Sequence, residues 1–172
     1  FSYVQRDITE NKVPEYQIKD HHIPWHIAML HGSLATNTVH DTYAPFRLHE
    51  LIDKGFDYWA LGHIHQRALL HQEPYIVYPG NIQGRHRKEM GEKGCYHVVM
   101  SPMKTELTFI PLHVIEFQSM MIDVTECDSL YALEKVLYNY LSYEYASKAT
   151  LIDLTLHSKN DRFYQWYLEQ AV

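Results

Sequence analysis

The sequence predicts a mixed α/β fold in two parts, and three observations indicate it. Short apolar runs alternate with segments that have helical spacing, and most of these runs end at a glycine. The length of 172 residues is enough for one domain and a small second module. A hydrophobic fraction of 46% and an aromatic fraction of 13% are typical of a packed core rather than of a disordered chain.

The first predicted elements are a strand, a helix and a second strand. Residues 23–30 are mostly apolar and end at His31-Gly32, which predicts a buried strand that runs into a loop. Residues 44–54 have apolar positions at helical spacing, and residues 56–61 are a second apolar run that stops at Gly62-His63. This order is typical of a βαβ unit, so we expect two parallel strands with their carboxyl ends at one edge of the sheet.

Three further strands are predicted in the next part of the chain. Residues 74–78 form a short run that ends at Pro79-Gly80. Residues 95–100 and 106–112 are separated by Ser101-Pro102 and are predicted to form an antiparallel hairpin or an edge pair.

From about Val114 the pattern changes to a β-α-β-α module. Its predicted elements are, in order, the strand 117–125, the helix 130–145, the strand 149–156 and the helix 161–171. Asp128-Ser129 precedes the first of these helices as a predicted amino-terminal cap. We therefore predict two domains, residues 1–113 and residues 114–172.

Composition excludes several classes of protein. The formal net charge of −6 argues against a chain that coats nucleic acid, so any nucleic-acid contact is expected to be local. No apolar run approaches the roughly 20 residues that span a bilayer. The two cysteines, Cys95 and Cys127, form no C-x-x-C pair, which indicates a reduced cytoplasm. The chain begins with Phe1 rather than Met, and we expect a fragment of a longer protein.

Three of the thirteen histidines follow the ends of predicted strands. His31 follows the first strand, and His63 and His65 follow the second, two residues apart. In extended backbone, residues i and i+2 point to the same side, so both imidazoles can reach one centre. If the two strands are parallel neighbours, all three rings converge beyond their carboxyl ends, where open α/β sheets place their sites.

Three converging imidazoles favour a metal site for Zn, Mn or Fe. The alternative is a set of loop histidines that each satisfy a hydrogen bond. A two-metal phosphoryl-transfer site has its ions about 3.5–4 Å apart, and it typically needs a bridging carboxylate. The sequence has no G-N-H-D block to supply that carboxylate, so it predicts only half of such a site.

Three blocks of the sequence resemble the last three blocks of calcineurin-like metallophosphoesterases. They are Met29-Leu30-His31-Gly32, Leu61-Gly62-His63-Ile64-His65 and Tyr78-Pro79-Gly80-Asn81. Residues 78–94 are most similar to the YhaO-type branch of bacterial SbcD-like exonucleases. The resemblance covers roughly Phe1 to Leu112, and a small αβ capping module is usual after it.

The resemblance implies the downstream half of a two-sheet metallophosphoesterase sandwich, followed by a capping module. It implies His31 and His63 as ligands of one metal and His65 as a ligand of the other, with two divalent ions and Mn²⁺ as the expected metal. The blocks that supply the other ligands and a catalytic histidine have no counterpart here, so no catalytic residue is predicted within this chain.

The resemblance further implies that the intact protein is a DNA-repair exonuclease with a two-metal mechanism, and that this chain alone is inactive; the cysteines predict a cytoplasmic location. DNA is the expected substrate, and a coiled-coil ATPase of the SbcC-like class is an expected partner. Two alternatives stay open. One is a phosphomonoesterase or nucleotide phosphodiesterase of the same fold, and the other is a non-catalytic scaffold domain.

A glycine-rich basic loop lies between Tyr78 and Cys95. Glycine lets backbone N–H groups approach a phosphate, and arginine can bind one with two hydrogen bonds. We predict Asn81, Arg85 and Arg87 as substrate contacts that position a nucleic-acid backbone. A solvated hairpin, with Glu89 and Glu92 balancing the charge, explains the same pattern.

Two surface features are also predicted. Five tyrosines in the helix 130–145 suit either base stacking or a combination of packing and amphipathic surface, and the second is the favoured interpretation. They are Tyr131, Tyr138, Tyr140, Tyr143 and Tyr145.

A sandwich without its first half would expose one edge of its sheet, which predicts either a separate chain that carries the missing part or self-association.

Overall fold

The computed structural model describes residues 7–36, 42–144 and 149–168. The chain divides into two compact units. The first comprises Phe1–Ile82 and Lys93–Leu112, and the second comprises Gln83–Glu92 and His113–Val172. Residues 83–92 thus group with the second unit although they precede the predicted boundary, and the division into domains 1–113 and 114–172 stays a prediction.

A four-stranded mixed sheet forms the framework of the first unit. Its strands are β1 (Ile27–His31), β2 (Tyr58–Gly62), β3 (Ala68–Gln72) and β4 (Tyr75–Tyr78), in the spatial order β1-β2-β4-β3. Both β1 and β4 run parallel to β2, whereas β3 is antiparallel to β4. The predicted parallel strands and the mixed α/β class are confirmed.

The core of the first unit covers one face of this sheet. Alternate residues of β1 are buried, as the period of two in a strand requires. The neighbouring strands contribute Trp59 and Ile76, and the short helix α1 (Leu48–Ile52) contributes Leu51. The indole N–H of Trp59 donates to the carbonyl of Leu51 over 3.1 Å, which ties β2 to the helix.

The helix α1 is shorter than the predicted segment 44–54. The residues before it lie alongside the loop that follows β1: the Phe46 amide donates to the Ser33 carbonyl over 3.1 Å, and the Ala35 amide donates to the Phe46 carbonyl over 2.8 Å. These bonds hold Phe46 in a parallel bridge with Leu34. The helical prediction for residues 44–47 was wrong because tertiary pairing overrides local spacing there.

The first unit also contains one strand that was not predicted and one hairpin that was. The strand β3 was not predicted, and it forms through its antiparallel pairing with β4, which is a contact rather than a local signal. The predicted hairpin is confirmed as β5 (Gly94–Met100) paired antiparallel with β6 (Thr105–Pro111).

The second unit contains the predicted β-α-β-α order. Its elements are β7 (Ile115–Asp123), α2 (Leu130–Glu144), β8 (Ala149–His157) and α3 (Arg162–Leu168). The two strands pair in parallel from end to end. The hydroxyl of Ser129 accepts a hydrogen bond of 3.2 Å from the amide of Ala132, which confirms the predicted cap.

A separate apolar cluster stabilises the second unit. Its buried members are Ile122, Val124, Cys127 and Leu133. Within the described residues, no helix combines the length and the apolar composition needed to cross a bilayer.

Candidate metal centre

The carboxyl edge of the parallel strands carries the predicted histidines. His31 is the last residue of β1, and its partner in the register is Gly62, the last residue of β2. The amide of Gly32 donates to the carbonyl of Gly62 over 3.2 Å, so the two chains stay paired beyond β1. His63 therefore begins the loop directly beside the end of β1, at the kind of edge where α/β sheets bind ligands.

The rings of His31 and His63 lie next to each other. Their centroids are 5.3 Å apart, with an angle of 79° between the ring planes. Imidazole nitrogen lies about 2.0–2.1 Å from a bound zinc ion. Two rings that share one ion then have centroids roughly 5 Å apart. The spacing of this pair therefore fits two ligands of one metal, as the resemblance implies.

Partial burial lowers the pKa of His31, and the neighbouring charges of His63 and then His65 lower it further. A lowered pKa keeps the imidazole of His31 neutral at pH 7, which is the form that donates a lone pair to a metal.

The backbone at His63 differs from the prediction. Its φ of +97° lies outside extended geometry, so the argument that positions 63 and 65 share a side because the chain is extended was wrong. A non-glycine residue with this φ is rare and persists only where the surrounding structure holds it. The strand β2 ends at Gly62, and the chain turns at the histidine itself.

The glycines of the three sequence blocks make room for close approaches. A Cβ at Gly32 would lie 2.6 Å from the carbonyl oxygen of Ala44, and one at Gly62 would lie 3.0 Å from Nδ1 of His31. Gly80 has a φ of +78°, and a Cβ there would lie 2.8 Å from the carbonyl oxygen of His65. Each glycine thus lets backbone or an imidazole approach at the histidine edge.

Asn81 follows this turn and is bound to the histidine loop. Its amide donates to the carbonyl of His65 over 3.2 Å, and its carbonyl accepts from the amide of Gly94 over 3.0 Å. The Pro-Gly-Asn block is therefore adjacent in space to the Gly-His-x-His block. A substrate role for Asn81 stays a prediction.

Tyr78 supports the same edge from the core. Its hydroxyl donates to the carbonyl of Gly32 over 2.6 Å. The side chain is buried, and burial raises the pKa of Tyr78. Its hydroxyl therefore stays protonated and is a permanent donor to the loop that follows His31.

Tyr43 is a residue of this site that sequence analysis missed. Its ring stacks on His63 with a centroid distance of 5.3 Å and an interplanar angle of 17°. It also meets His31 edge-on at 5.4 Å. No motif surrounds Tyr43 in the sequence, and the pairing of Ser33 with this segment brings it to the histidines.

Arg85 and Arg87 belong to the second unit, whereas the histidines and Asn81 belong to the first. The side chain of Arg85 is 65% exposed, and its Nε lies 3.8 Å from the carboxylate of Glu89. Arg87 is 75% exposed, and its guanidinium lies 3.9 Å from the carboxylate of Asp153. Both guanidinium groups are therefore accessible to solvent and to an anion, although the carboxylate beside Arg85 is buried.

The loop that carries these arginines is bound to β7. Oε1 of Gln83 accepts from the amide of Val114 over 2.8 Å, and Nε2 donates to the carbonyl of Ile115 over 2.7 Å. The amide of Gly91 donates to the carbonyl of Phe117 over 2.9 Å. Residues 83–92 form a loop without strands rather than a hairpin. The charge balance of that alternative is present at Glu89, which lies 3.8 Å from Nε of Arg85 and, although buried, accepts from the amide of Arg85.

The tyrosines of α2 that the structure describes lie on its surface. Tyr131, Tyr138 and Tyr140 are exposed, which fits the amphipathic surface of the favoured interpretation. Tyr145 and the side chain of Tyr143 lie outside the described residues.

The donors at this edge fit part of a metal site. The two imidazoles have suitable spacing, and neutral nitrogen donors suit Zn, Mn or Fe. Across residues 7–36, 42–144 and 149–168, however, no three His, Cys, Asp or Glu side chains form a group that could hold an ion. The described residues thus fit part of a metal site, and His31, His63 and His65 stay predicted ligands.

Comparison with known proteins gives one informative similarity. No family model matches the chain. The chain is 41% identical over 143 residues to a protein of Bacillus subtilis (strain 168) named as an uncharacterized metallophosphoesterase, YhaO. The matched region is 83% of this chain and 35% of that relative, so the chain spans about a third of the length of the curated protein it matches.

The fold is consistent with the class of protein that the relative's name gives. The mixed α/β architecture with histidines at a parallel edge is consistent with part of a metallophosphoesterase, and the chain has a metallophosphoesterase as a homologue. The similarity supports the resemblance at the level of the superfamily. The SbcD-like DNA-repair branch stays a prediction.

Proposed function

We propose that the protein to which this chain belongs is a metal-dependent phosphoesterase, and that His31, His63 and His65 are metal ligands. One observation carries the proposal. The imidazoles of His31 and His63 lie 5.3 Å apart at the carboxyl edge of two parallel strands, in a chain whose relative is named a metallophosphoesterase.

The role of these residues is to hold metal, not to transfer protons. Neutral imidazole nitrogens bind a divalent ion, but they do not offset its charge. A pair of divalent ions supplies charge stabilisation to a phosphoryl group and activates a water molecule. We infer that carboxylate ligands from the rest of the protein complete the site.

The substrate that we propose is DNA, with two Mn²⁺ ions as the metals. The exposed guanidinium groups of Arg85 and Arg87 support a contact with a phosphate backbone. We also propose a role in DNA repair and a coiled-coil ATPase partner of the SbcC-like class, which rest on the resemblance alone. The cytoplasmic location that we propose rests on the two cysteines and their lack of a C-x-x-C pair.

The test compares substrates for the full-length natural protein. Purified protein is freed of metal with EDTA, supplied with Mn²⁺, Mg²⁺ or Zn²⁺, and assayed on duplex DNA, a chromogenic phosphodiester and a chromogenic phosphomonoester. We expect DNA cleavage with Mn²⁺. Cleavage of the monoester alone, or of the small diester alone, would replace DNA with the small-substrate alternatives.

The histidine assignment is tested in the same assay. We expect His63→Ala to lower activity by more than about 100-fold, because even residues that only support metal ligands contribute about 10–100-fold. His97→Ala is the matched control, since His97 is an exposed histidine on β5 of the same unit. Equal activity of the two variants, together with no stoichiometric metal, would instead indicate a scaffold domain.

A further inference from the structure

The ring of Tyr43 completes a cluster of three aromatic rings at the histidine edge. It stacks on His63 at 5.3 Å and 17°, and it meets His31 at 5.4 Å and 90°. His31 and His63 also contact each other at 5.3 Å. Each ring of this cluster therefore restricts the rotation of the other two.

The main chain of Tyr43 is itself held by Ser33. Ser33 is fully buried, its amide donates to the Tyr43 carbonyl over 2.8 Å, and its Oγ accepts from the Tyr43 amide over 3.0 Å. The next amide, of Ala44, donates to the carbonyl of Ile8 over 2.7 Å. The stacking ring is thus mounted on a segment bound to two other parts of the chain.

The orientation of an imidazole decides where its lone pair points. The lone pair lies in the plane of the ring, so rotation of the ring moves the donor direction away from a bound ion. Groups that orient a ligating histidine act on affinity in this way. We propose that Tyr43 is a positioning residue that sets the plane of the His63 imidazole, and that Ser33 sets the position of Tyr43.

The first test observes the imidazole directly and needs no metal. The 172-residue chain is labelled with ¹³C and ¹⁵N at histidine, and the ring signals of His63 are assigned with His63→Ala. Tyr43→Leu removes the aromatic face and is expected to shift the His63 ring signals, because the ring current of Tyr43 is lost. Tyr43→Phe keeps the stacked ring and is expected to leave those signals near their original positions.

Two controls accompany this test. Tyr75→Leu removes a tyrosine at the amino end of β4, the end opposite the histidine edge, and should leave the His63 signals unchanged. The indole N–H signal of the buried Trp59 reports whether each variant is folded. If Tyr43→Leu does not fold, Ser33→Ala decides the matter, and it is expected to move the same His63 signals with Tyr43 still present.

The second test measures metal affinity in the full-length protein, and this readout rests on the proposed function. We expect Tyr43→Leu to weaken Mn²⁺ binding by about 10-fold or more. Tyr43→Phe should restore it. A general structural defect would affect both variants, whereas loss of a stacked ring affects only the leucine variant.

Unchanged His63 signals in folded Tyr43→Leu would overturn the inference, as would equal shifts in the phenylalanine and leucine variants. The inference and the proposed function fail separately. Shifted signals in Tyr43→Leu, with full activity in His63→Ala, would overturn the function alone. Lost activity in His63→Ala, with unchanged signals in Tyr43→Leu, would overturn the role of Tyr43 alone.

Discussion

At the scale of single residues, the histidine edge depends on glycines at positions where a side chain would collide with neighbouring atoms. Gly32 follows His31, and the segment that carries Tyr43 lies close to the α-carbon of Gly32. The same segment is bound to Ser33, the next residue. The loop after β1 and the loop before α1 therefore form one packed structure, in which the histidine rings have defined neighbours.

Gly32→Ala is expected to destabilise the first unit. The added Cβ would lie 2.6 Å from the Ala44 carbonyl oxygen, and overpacking of this kind costs about 1–3 kcal/mol in the free energy of unfolding. Hydrogen exchange of the amides in β1 and β2 measures the loss. Ala35→Ser, at an exposed position of the same loop, should change the free energy by less than about 0.5 kcal/mol. Equal protection in the two variants would contradict this prediction.

At the scale of elements, residues 83–92 form a part of the second unit rather than a free loop. The side chain of Gln83 exchanges hydrogen bonds with the main chain at the start of β7, and the buried Glu89 accepts from the amide of Arg85. The main chain at Arg85 is thus held by its own loop. The guanidinium, 65% exposed, can be removed without loss of that amide bond.

Arg85→Ala in the full-length protein is expected to weaken DNA binding. If the guanidinium neutralises one phosphate, the slope of log K against log salt concentration should become shallower by about 0.9. Fluorescence anisotropy across a salt titration measures both quantities. Arg47→Ala, an exposed arginine at the start of α1 in the first unit, is the control. An unchanged slope and affinity for Arg85→Ala would remove this arginine from the substrate contacts.

At the scale of the whole molecule, the strand β1 is an edge of the four-stranded sheet. The His26 carbonyl and the Gly32 amide both bond to β2, and successive residues of a strand direct their backbone groups to opposite sides. The backbone groups of Met29, an odd-numbered residue between these two even-numbered ones, therefore point away from β2. The hydroxyl of Tyr16 donates to the carbonyl of Met29. One outward acceptor is thus occupied within the chain, while Ile27 and Met29 keep exposed side chains, and self-association through this edge stays a prediction.

The purified 172-residue chain is expected to show no Mn²⁺-dependent cleavage of DNA. Its described residues contain no group of three potential ligands that could hold an ion, and the chain covers 35% of the YhaO relative. Isothermal titration with Mn²⁺ should accordingly detect weak binding at most. Robust cleavage by this chain, lost in His63→Ala, would show that the site is complete without further protein.

The sequence by itself determined the parallel strands, the hairpin, the β-α-β-α order and the placement of His31 and His63 at one edge. These follow from local signals, because apolar runs and glycines mark strands and their ends within a few residues. Sequence analysis did not find β3 or Tyr43, and it predicted extended backbone where His63 has a φ of +97°.

Only the tertiary structure decided how the histidine edge is assembled. The stacking of Tyr43 on His63 depends on Ser33, and the approach of Asn81 to His65 depends on the room left by Gly80. These contacts join segments that are separate in the sequence, and their formation depends on steric fit and hydrogen bonds across that separation. Periodicity and propensity describe neighbours along the chain, so neither contains this information.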